Sequence, residues 1–517
     1  MHIYMTDPTY KFDVEQTAII LFPERTPRVE CMAPPRASIQ EDYGVAALSI
    51  LPKSVAATFL LQLDGKLCRE TARSVFSPGM TEEEKKTEIR HTIRRSVYKA
   101  FVSLTGIKPA WGALAGVRPA KLARKLIEEG RTEEEARRQL ESRYCIRHDK
   151  AMLALAAARA SLDLKAAMKP LDASVYVGIP FCPTRCAYCS FISKSASAAG
   201  AAEIDRYLDV LKAEIAATGE QMTQAGTQIQ SVYIGGGTPT TLSAEQLTRL
   251  LEAIRQAFPL AEGVEFTLEA GRPDTITREK LAAAAAGGVN RISINPQTFS
   301  NRVLALVGRK HTVEDIYRVF DMAREVGDFK INMDLIAGLP GDSLAGFANS
   351  VTSACSLAPD NITVHTLALK KGSALTEQIR ENGGAKWHTA AAIEEMLGTG
   401  EQILHENRYA PYYLYRQKYS GGSFENVGYA RDGAICRYNI YMMDELMPVV
   451  SCGAGAVTKL GFDGDGQVLR IANPKYPEDY IRRADEVIAN RAKIGAFYRH
   501  ELTAEPAADT EVESDEA

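Results

Sequence analysis

Within one span of eight residues the chain places Cys182, Cys186 and Cys189, three of its nine cysteines, at C-x3-C-x2-C spacing. A cubane iron–sulfur cluster wants a thiolate on each of its four irons, and a tight loop can present three sulfurs to three corners. The fourth iron is then left open to another ligand. A structural zinc site would need a fourth Cys or His at close range, and zinc ribbons use paired C-x2-C spacing instead. Three inert packing thiols would have no reason to crowd together, because free cysteine packs like any small apolar residue. The loop therefore reads as a cluster loop.

The elements that must position it follow from the alternation around it. A strand over Ser174 to Ile179 runs into the loop and Pro180 ends it, so the thiols sit just past a strand's carboxyl end, where α/β barrels build their active sites. Five further strands are predicted at Ser231 to Ile234, Val264 to Glu269, Arg291 to Ile294, Lys330 to Ile336 and Ile362 to Leu367. Helices over Glu203 to Gly219, Ser243 to Phe258, Thr277 to Ala286, Val313 to Val326 and Leu344 to Leu357 separate them. Strand–helix alternation builds right-handed βαβ units and a parallel sheet. Periodicity alone leaves an open barrel and a doubly wound sheet as alternatives.

Polar residues recur at the ends of these strands. Gly235-Gly236-Gly237-Thr238-Pro239 follows the second strand, and consecutive glycines let backbone pass close to a ligand. Glu269 ends the third strand, Gln297 ends the fourth in the same way, and Asp334 lies in the fifth. Arg309 lies in Val307-Gly308-Arg309-Lys310-His311. Taken singly, each suits a polar group satisfying neighbouring backbone. The eight histidines make no close metal-ligand pair, and His311 and His365 are placed near the mouth with hydrogen-bonding structural roles. Neither a nucleophile elbow nor a P-loop is present.

With 517 residues, 45% apolar and 24% charged, and a net charge of −4, the chain can bury a large core in two or three domains. That charge gives no footprint for nucleic acid. The longest apolar runs are too short to span a bilayer, and the N-terminus lacks a basic-then-apolar leader. A cytoplasmic location is expected. The six remaining cysteines are scattered singly, as reduced thiols are.

Residues 1 to about 75 read as a small sheet, with period-two alternation assigned to Gln16 to Phe22 and Ala56 to Leu63 and a Pro-rich turn at Pro34-Pro35. A helix with a capping box is predicted over Thr81 to Leu104, with more over Ala120 to Gly130, Thr132 to Tyr144 and Asp149 to Leu164. The phrase from Trp111 to Lys121, with Arg118-Pro119, is open to two readings: an anion-binding turn at a helix N-terminus, or a helix start with Pro at its first position. The domain expectation is 1–165, an α+β accessory domain; 170–380, the strand–helix region; 381–502, a C-terminal lobe; and 503–517, a disordered acidic tail. The lobe is predicted to hold helices over Thr389 to Glu406 and Pro477 to Arg491. Seven of the twenty-one tyrosines fall between 412 and 441, interleaved with Arg416, Lys418, Arg431 and Arg437. Aromatic faces with cations suit a tetrapyrrole bearing carboxylate arms; aromatic packing is the alternative.

The words YVGIPFC and CAYCSF resemble the radical SAM superfamily signature, and RISINPQT, ENVGYA and GAGAV extend the likeness over about 170–475. The chain is similar to the oxygen-independent coproporphyrinogen dehydrogenases, in particular their Bacillus-type branch. That resemblance implies a partial (β/α)6 TIM-type radical SAM barrel, in an α/β chain with an N-terminal α+β domain and a C-terminal mostly helical lobe. It implies a [4Fe-4S] cluster on Cys182, Cys186 and Cys189 with S-adenosylmethionine (SAM) chelating the fourth iron. It further implies a SAM pocket of Gly236, Gly237, Thr238, Glu269, Gln297, Arg309 and Asp334, with Tyr176 shaping the catalytic chamber and Arg416 and Arg431 as substrate residues. The implied reaction is anaerobic oxidative decarboxylation of two coproporphyrinogen III propionates to vinyl groups, fed by a flavodoxin- or ferredoxin-like low-potential donor. Decarboxylating members carry another Cys where this chain has Phe191, and heme-chaperone relatives often carry His-Asn where it has Tyr438-Asn439. Catalysis is the expectation, and heme carriage or other tetrapyrrole radical chemistry the alternatives.

Overall fold

The computed structural model describes residues 1–23, 25–33, 41–189, 194–369, 373–381, 387–417, 424–461 and 468–501, apart from the side chain at 380. The turn at Pro34-Pro35, Phe191, Lys418, Tyr419 and the acidic tail 503–517 lie outside the described residues. The chain forms two units, Met1–Arg159 with Leu414–Asn426, and Ala160–Tyr413 with Val427–Ala517.

In the first unit a five-stranded sheet has the order Arg28–Glu30, His2–Met5, Tyr43–Leu51, Ser54–Leu63, Lys66–Val75. Helices Lys11–Leu21 and Glu82–Thr105 contribute Val14, Ala18, Val97 and Ala100 to a core with Ile3, Phe59 and Leu61. Of the stretch Gln16 to Phe22, expected as strand, Gln16 to Leu21 lie in the first of these helices and Phe22 caps its end. Val14, Ala18 and Leu21 are its buried apolar residues, and that i, i+4, i+7 spacing is the helical period. The second helix starts on Thr81, whose hydroxyl takes the Glu84 N–H while the Glu84 carboxylate takes the Thr81 N–H, as the capping-box spacing predicts. Thr132 and Glu135 repeat the device at helix Glu133–Tyr144.

The first unit also resolves the phrase from Trp111 to Lys121. Pro119 opens helix Pro119–Glu128, and the carbonyls of Leu114 and Gly116 accept from Arg416 Nη1 at 2.6 and 3.2 Å. Its carbonyls thus face a cation. Arg416 lies 5.5 Å over the Trp111 ring, and Glu425 accepts from Trp111 Nε1 and pairs with Lys150, both at 2.6 Å. Burial lowers the Arg416 pKa to about 10 against the nearby Glu425 charge, which raises it.

The second unit carries six parallel strands in sequential order: Asp172–Ile179, Gln228–Gly236, Leu260–Gly271, Arg291–Ile294, Lys330–Ala337 and Asn361–Thr366. They form the partial (β/α)6 barrel. Paired residues in a parallel register share a face, and the pairings sort this sheet into two surfaces. Val175, Val232, Phe266, Leu268, Ile292 and Ile331 are wholly buried or nearly so on one. The other presents Ser174 with Ser231, Tyr176 with Tyr233 and Thr267, and Ser293 with Asn332. This second surface is the polar barrel interior.

The C-terminal segment holds more helix than strand, as expected, and also supplies strands to both edges. Glu425–Ala430 runs antiparallel to the sixth barrel strand, while Val449–Cys452 adds parallel to the first and continues into Val457–Leu460 and Leu469–Ala472. The single helix expected over Pro477 to Arg491 is broken at Arg483, and helices Pro477–Arg482 and Ala484–Ala489 are followed by a third, Ala492–Tyr498. Among the described residues no helix is long and apolar enough to cross a membrane, and all nine cysteines are free thiols.

Candidate functional site

The cysteine loop leaves the first barrel strand and is tied down at several points. The Ala187 N–H donates to Val307 O at 3.1 Å, Leu375 N–H to Ala187 O at 2.9 Å, and Cys189 N–H to Cys186 O at 3.1 Å. Two arginines grip its two arcs. Arg272 Nη1 donates to Thr184 O and Oγ1 at 3.0 and 2.8 Å, between the first two cysteines. Arg309 Nε donates to the Tyr188 hydroxyl at 3.3 Å, between the second and third, while its Nη1 holds Asn295 O at 2.8 Å. Nearby Tyr188 and Cys186 help raise the Arg309 pKa despite burial. His311 lies 3.9 Å from Asp274 and is held neutral, its pKa lowered to about 4 by burial and by Arg309.

The glycine turn closes against the entry to this loop. Gly237 N–H donates to Ile179 O at 2.8 Å and Thr238 N–H to Phe181 O at 2.7 Å, and Thr238 Oγ1 lies 3.6 Å from Cys182 Sγ. A Cβ at Gly237 would stand 2.5 Å from Phe181 O, inside contact distance for any side chain. Gly236 adopts φ +105°, a conformation open to glycine alone in practice, beside the Tyr176 hydroxyl.

Glu269 and Asp334 face one another across this end of the barrel. Burial first, then the Asp334 charge, push the Glu269 pKa up to about 8 against a hydrogen bond from Gly236. Asp334 accepts from Asn332 Nδ2 at 2.7 Å and lies 3.8 Å from His365 Nε2. Gln297 has φ +68°, a left-handed strain held by two backbone bonds: its N–H donates to Asp334 O at 2.9 Å, and its carbonyl accepts from Ile336 at 3.0 Å. Such strain persists where surrounding structure over-determines it, often at functional sites. Cys182, Cys186, Cys189, Tyr176, Gly236, Gly237, Thr238, Glu269, Gln297, Arg309 and Asp334 thus gather at the carboxyl end of one barrel.

Of the two expected substrate arginines, Arg431 is not brought to that end. Arg431 lies 4.9 Å over the Tyr409 ring, and its N–H donates to Asp360 O just before the sixth strand begins. That is the amino end of the barrel. Arg416 belongs to the first unit. The tyrosine run is largely core: Tyr412, Tyr413, Tyr429, Tyr438 and Tyr441 are all buried.

Tyr438 has a position that composition did not reveal. Helix Arg437–Asp444 begins under the barrel, where Glu265 accepts the N–H groups of Arg437 and Tyr438, each at 2.9 Å. Tyr438 stacks on Tyr233 at 4.6 Å and lies 6.5 Å from Tyr176. The barrel interior thus has an aromatic floor beneath its carboxylates. Arg272 was also missed, although Gly271-Arg272-Pro273-Asp274 directly ends a barrel strand.

Among the described residues no three His, Cys, Asp or Glu side chains are drawn together closely enough to hold a metal ion as they stand. The thiols ride on one anchored loop rather than in a preformed cage, which is the ordinary condition of a metal site before binding. Three soft sulfur donors beside two cationic guanidinium groups fit an anionic iron–sulfur cluster.

The radical SAM superfamily pattern matches residues 176–353. Over 456 residues, 87% of this chain and 89% of the relative, the sequence is 36% identical to oxygen-independent coproporphyrinogen-III oxidase-like protein HemZ of Bacillus subtilis. It is 37% identical over 198 residues to heme chaperone HemW of Bacillus subtilis, covering 38% of this chain and 51% of that protein. Against HemW of Escherichia coli the figures are 28% over 311 residues, 60% and 75%. Among solved structures, coproporphyrinogen III oxidase HemN of Escherichia coli aligns over 65% of this chain and 72% of that one, at 25% identity and TM-score 0.49. The chain belongs to the radical SAM superfamily, with its [4Fe-4S] cluster and SAM, and within it to the family of HemZ-like, oxygen-independent coproporphyrinogen-III oxidase-like proteins.

Proposed function

We propose that the protein is a cytoplasmic radical SAM oxidoreductase that converts two propionate arms of coproporphyrinogen III to vinyl groups. The division into an accessory domain 1–165, a barrel 170–380 and a substrate-side lobe 381–502 is part of the same proposal. The observation that carries it is the gathering of the cysteine loop, the glycine turn and the polar strand ends at one end of a polar barrel, in a chain similar over most of its length to a coproporphyrinogen-III oxidase-like protein.

Bound there, the cluster and SAM supply one-electron hydrogen abstraction, chemistry that side chains alone do not perform. Cys182, Cys186 and Cys189 hold the cluster. Gly236, Gly237 and Thr238 offer close backbone, Glu269 and Gln297 suit ribose hydroxyls, and Arg309 and Asp334 suit the carboxylate and amino group of the methionine part. Tyr176, stacked with Tyr233 at 6.3 Å, supplies a flat wall for the reacting arm. Each arm loses one hydrogen atom from the carbon next to the ring, its carboxylate as carbon dioxide, and one electron to an acceptor.

Product analysis tests this reading. With SAM and a flavodoxin- or ferredoxin-like low-potential donor, under anaerobic conditions, coproporphyrinogen III should give a mono- and then a divinyl product. Heme carriage is the second reading, favoured by the similarity to HemW. Stoichiometric heme binding and transfer without vinyl product would favour it. Tyr438, buried under the barrel, is not disposed as an exposed heme ligand, which supports the first reading.

A further inference from the structure

We infer that Arg272 is a positioning residue of the cluster loop that also sets the cluster's reduction potential. The inference rests on the cofactor reading above and adds to it a residue outside the SAM pocket. Three observations carry it. Arg272 is 3% exposed and leaves the third barrel strand immediately after Gly271, whose φ of +63° turns the chain toward the loop. Its guanidinium is fully committed: Nε and Nη2 donate to the two oxygens of Asp274 at 3.0 and 2.8 Å, while Nη1 donates to Thr184 O and Oγ1. The same Nη1 stands 4.0 Å from Cys186 Sγ.

The fork geometry explains why arginine occupies this place. One edge of the guanidinium is fixed by Asp274 from its own turn, so the remaining nitrogen is aimed, without rotamer freedom, at the arc between Cys182 and Cys186. Lysine would carry the charge but not the fork. Residue 272 therefore fixes both where that arc lies and what charge stands beside its second thiolate.

A cluster on three thiolates becomes more negative by one charge when it takes an electron. A fixed cation beside Cys186 in a water-poor site stabilises the reduced form more than the oxidised one, because Coulomb energies are larger there than in water. Asp274 offsets part of this from the far side of the guanidinium. The pair predicts opposite shifts: removing the cation leaves Asp274 uncompensated and lowers the potential, while removing the carboxylate raises it. A merely structural anchor predicts neither.

The test uses full-length protein reconstituted anaerobically with iron and sulfide, comparing wild type, Arg272→Gln, Arg272→Lys and Asp274→Asn. Iron content and the midpoint potential from an EPR-monitored redox titration are the readouts, so turnover is not required. Arg272→Gln should keep iron and shift negative until the reduced-to-oxidised ratio at a fixed potential falls by about tenfold, about 59 mV for one electron. Asp274→Asn should shift positive, and Arg272→Lys should lie closer to wild type than Gln does. Equal potentials in all four would overturn the inference, as would shifts of one sign in both Arg272→Gln and Asp274→Asn. If Arg272→Gln fails to hold a cluster, the sign of the Asp274→Asn shift still decides. Wild type without iron would instead refute the cofactor reading itself.

Discussion

Glu269 gives the folded protein a pH dependence whose sign is opposite to that of an ordinary salt-bridged carboxylate. Its pKa rises from an ordinary 4.5 to about 8, through burial first and the neighbouring Asp334 charge second. Between those values the unfolded chain has released the proton while the folded chain retains it, so stability falls as pH rises from about 4.5 to about 8 and is level above. At about 1.4 kcal/mol per pH unit the full effect is at most about 5 kcal/mol. Partial solvent access to the carboxyl brings the working figure to about half of that. Replacing Glu269 with Gln keeps the shape and removes the ionisable group. Urea midpoints of the cofactor-free protein, measured in steps from pH 4.5 to 9, should decline more steeply in wild type than in Glu269→Gln. The two curves should meet near pH 4.5 and separate by about 2–3 kcal/mol above pH 8. Parallel curves would refute the assignment of a proton to this carboxyl.

Gly237→Ala should cost most of the iron in reconstituted protein, because its Cβ would meet Phe181 O at 2.5 Å and push on the residue before Cys182; iron content equal to wild type would show that the turn yields freely. Asp334→Ala should retain iron while weakening SAM binding by about 1–3 kcal/mol, the cost of leaving buried partners unpaired, as read by calorimetry. Arg416→Ala should lower the melting temperature through about 1–3 kcal/mol lost where the Leu114 and Gly116 carbonyls are left unpaired, with SAM affinity unchanged; a loss of turnover without destabilisation would mark it as a substrate residue. Arg431→Ala should likewise leave SAM affinity and the Michaelis constant for the tetrapyrrole unchanged.

The sequence made the barrel legible because both of its signals are local. The strands Arg291–Ile294 and Lys330–Ala337 and the helices Val313–Val326 and Leu344–Leu357 stand where apolar period and glycine punctuation put them. Cys182, Cys186 and Cys189 declare their chemistry by spacing, and the polar residues Glu269 and Gln297 mark strand ends. At Gln16 to Phe22 the two periods are hard to tell apart, because a short helix one face deep, with Val14, Ala18 and Leu21 buried, can imitate alternation over seven residues. The tyrosine run stayed open between two readings for a different reason. Tyr438, Arg431 and Arg416 are near in sequence, yet Tyr438 enters the barrel from below, Arg431 packs on Tyr409, and Arg416 serves carbonyls of the first unit. Composition records that aromatic and cationic residues are neighbours along the chain; only tertiary pairing records which way each one faces. Arg272 escaped notice because its partners, Thr184 and Cys186, are over eighty residues away.

The most direct test follows a labelled hydrogen atom. Coproporphyrinogen III carrying deuterium on the propionate carbons next to the ring is incubated anaerobically with wild-type protein, SAM and a low-potential reductant, and the 5′-deoxyadenosine formed is analysed by mass spectrometry. Radical decarboxylation predicts monodeuterated 5′-deoxyadenosine in step with vinyl product and carbon dioxide, and none of the three in Cys186→Ala. Unlabelled 5′-deoxyadenosine, or an intact substrate beside protein that binds heme stoichiometrically, would contradict it.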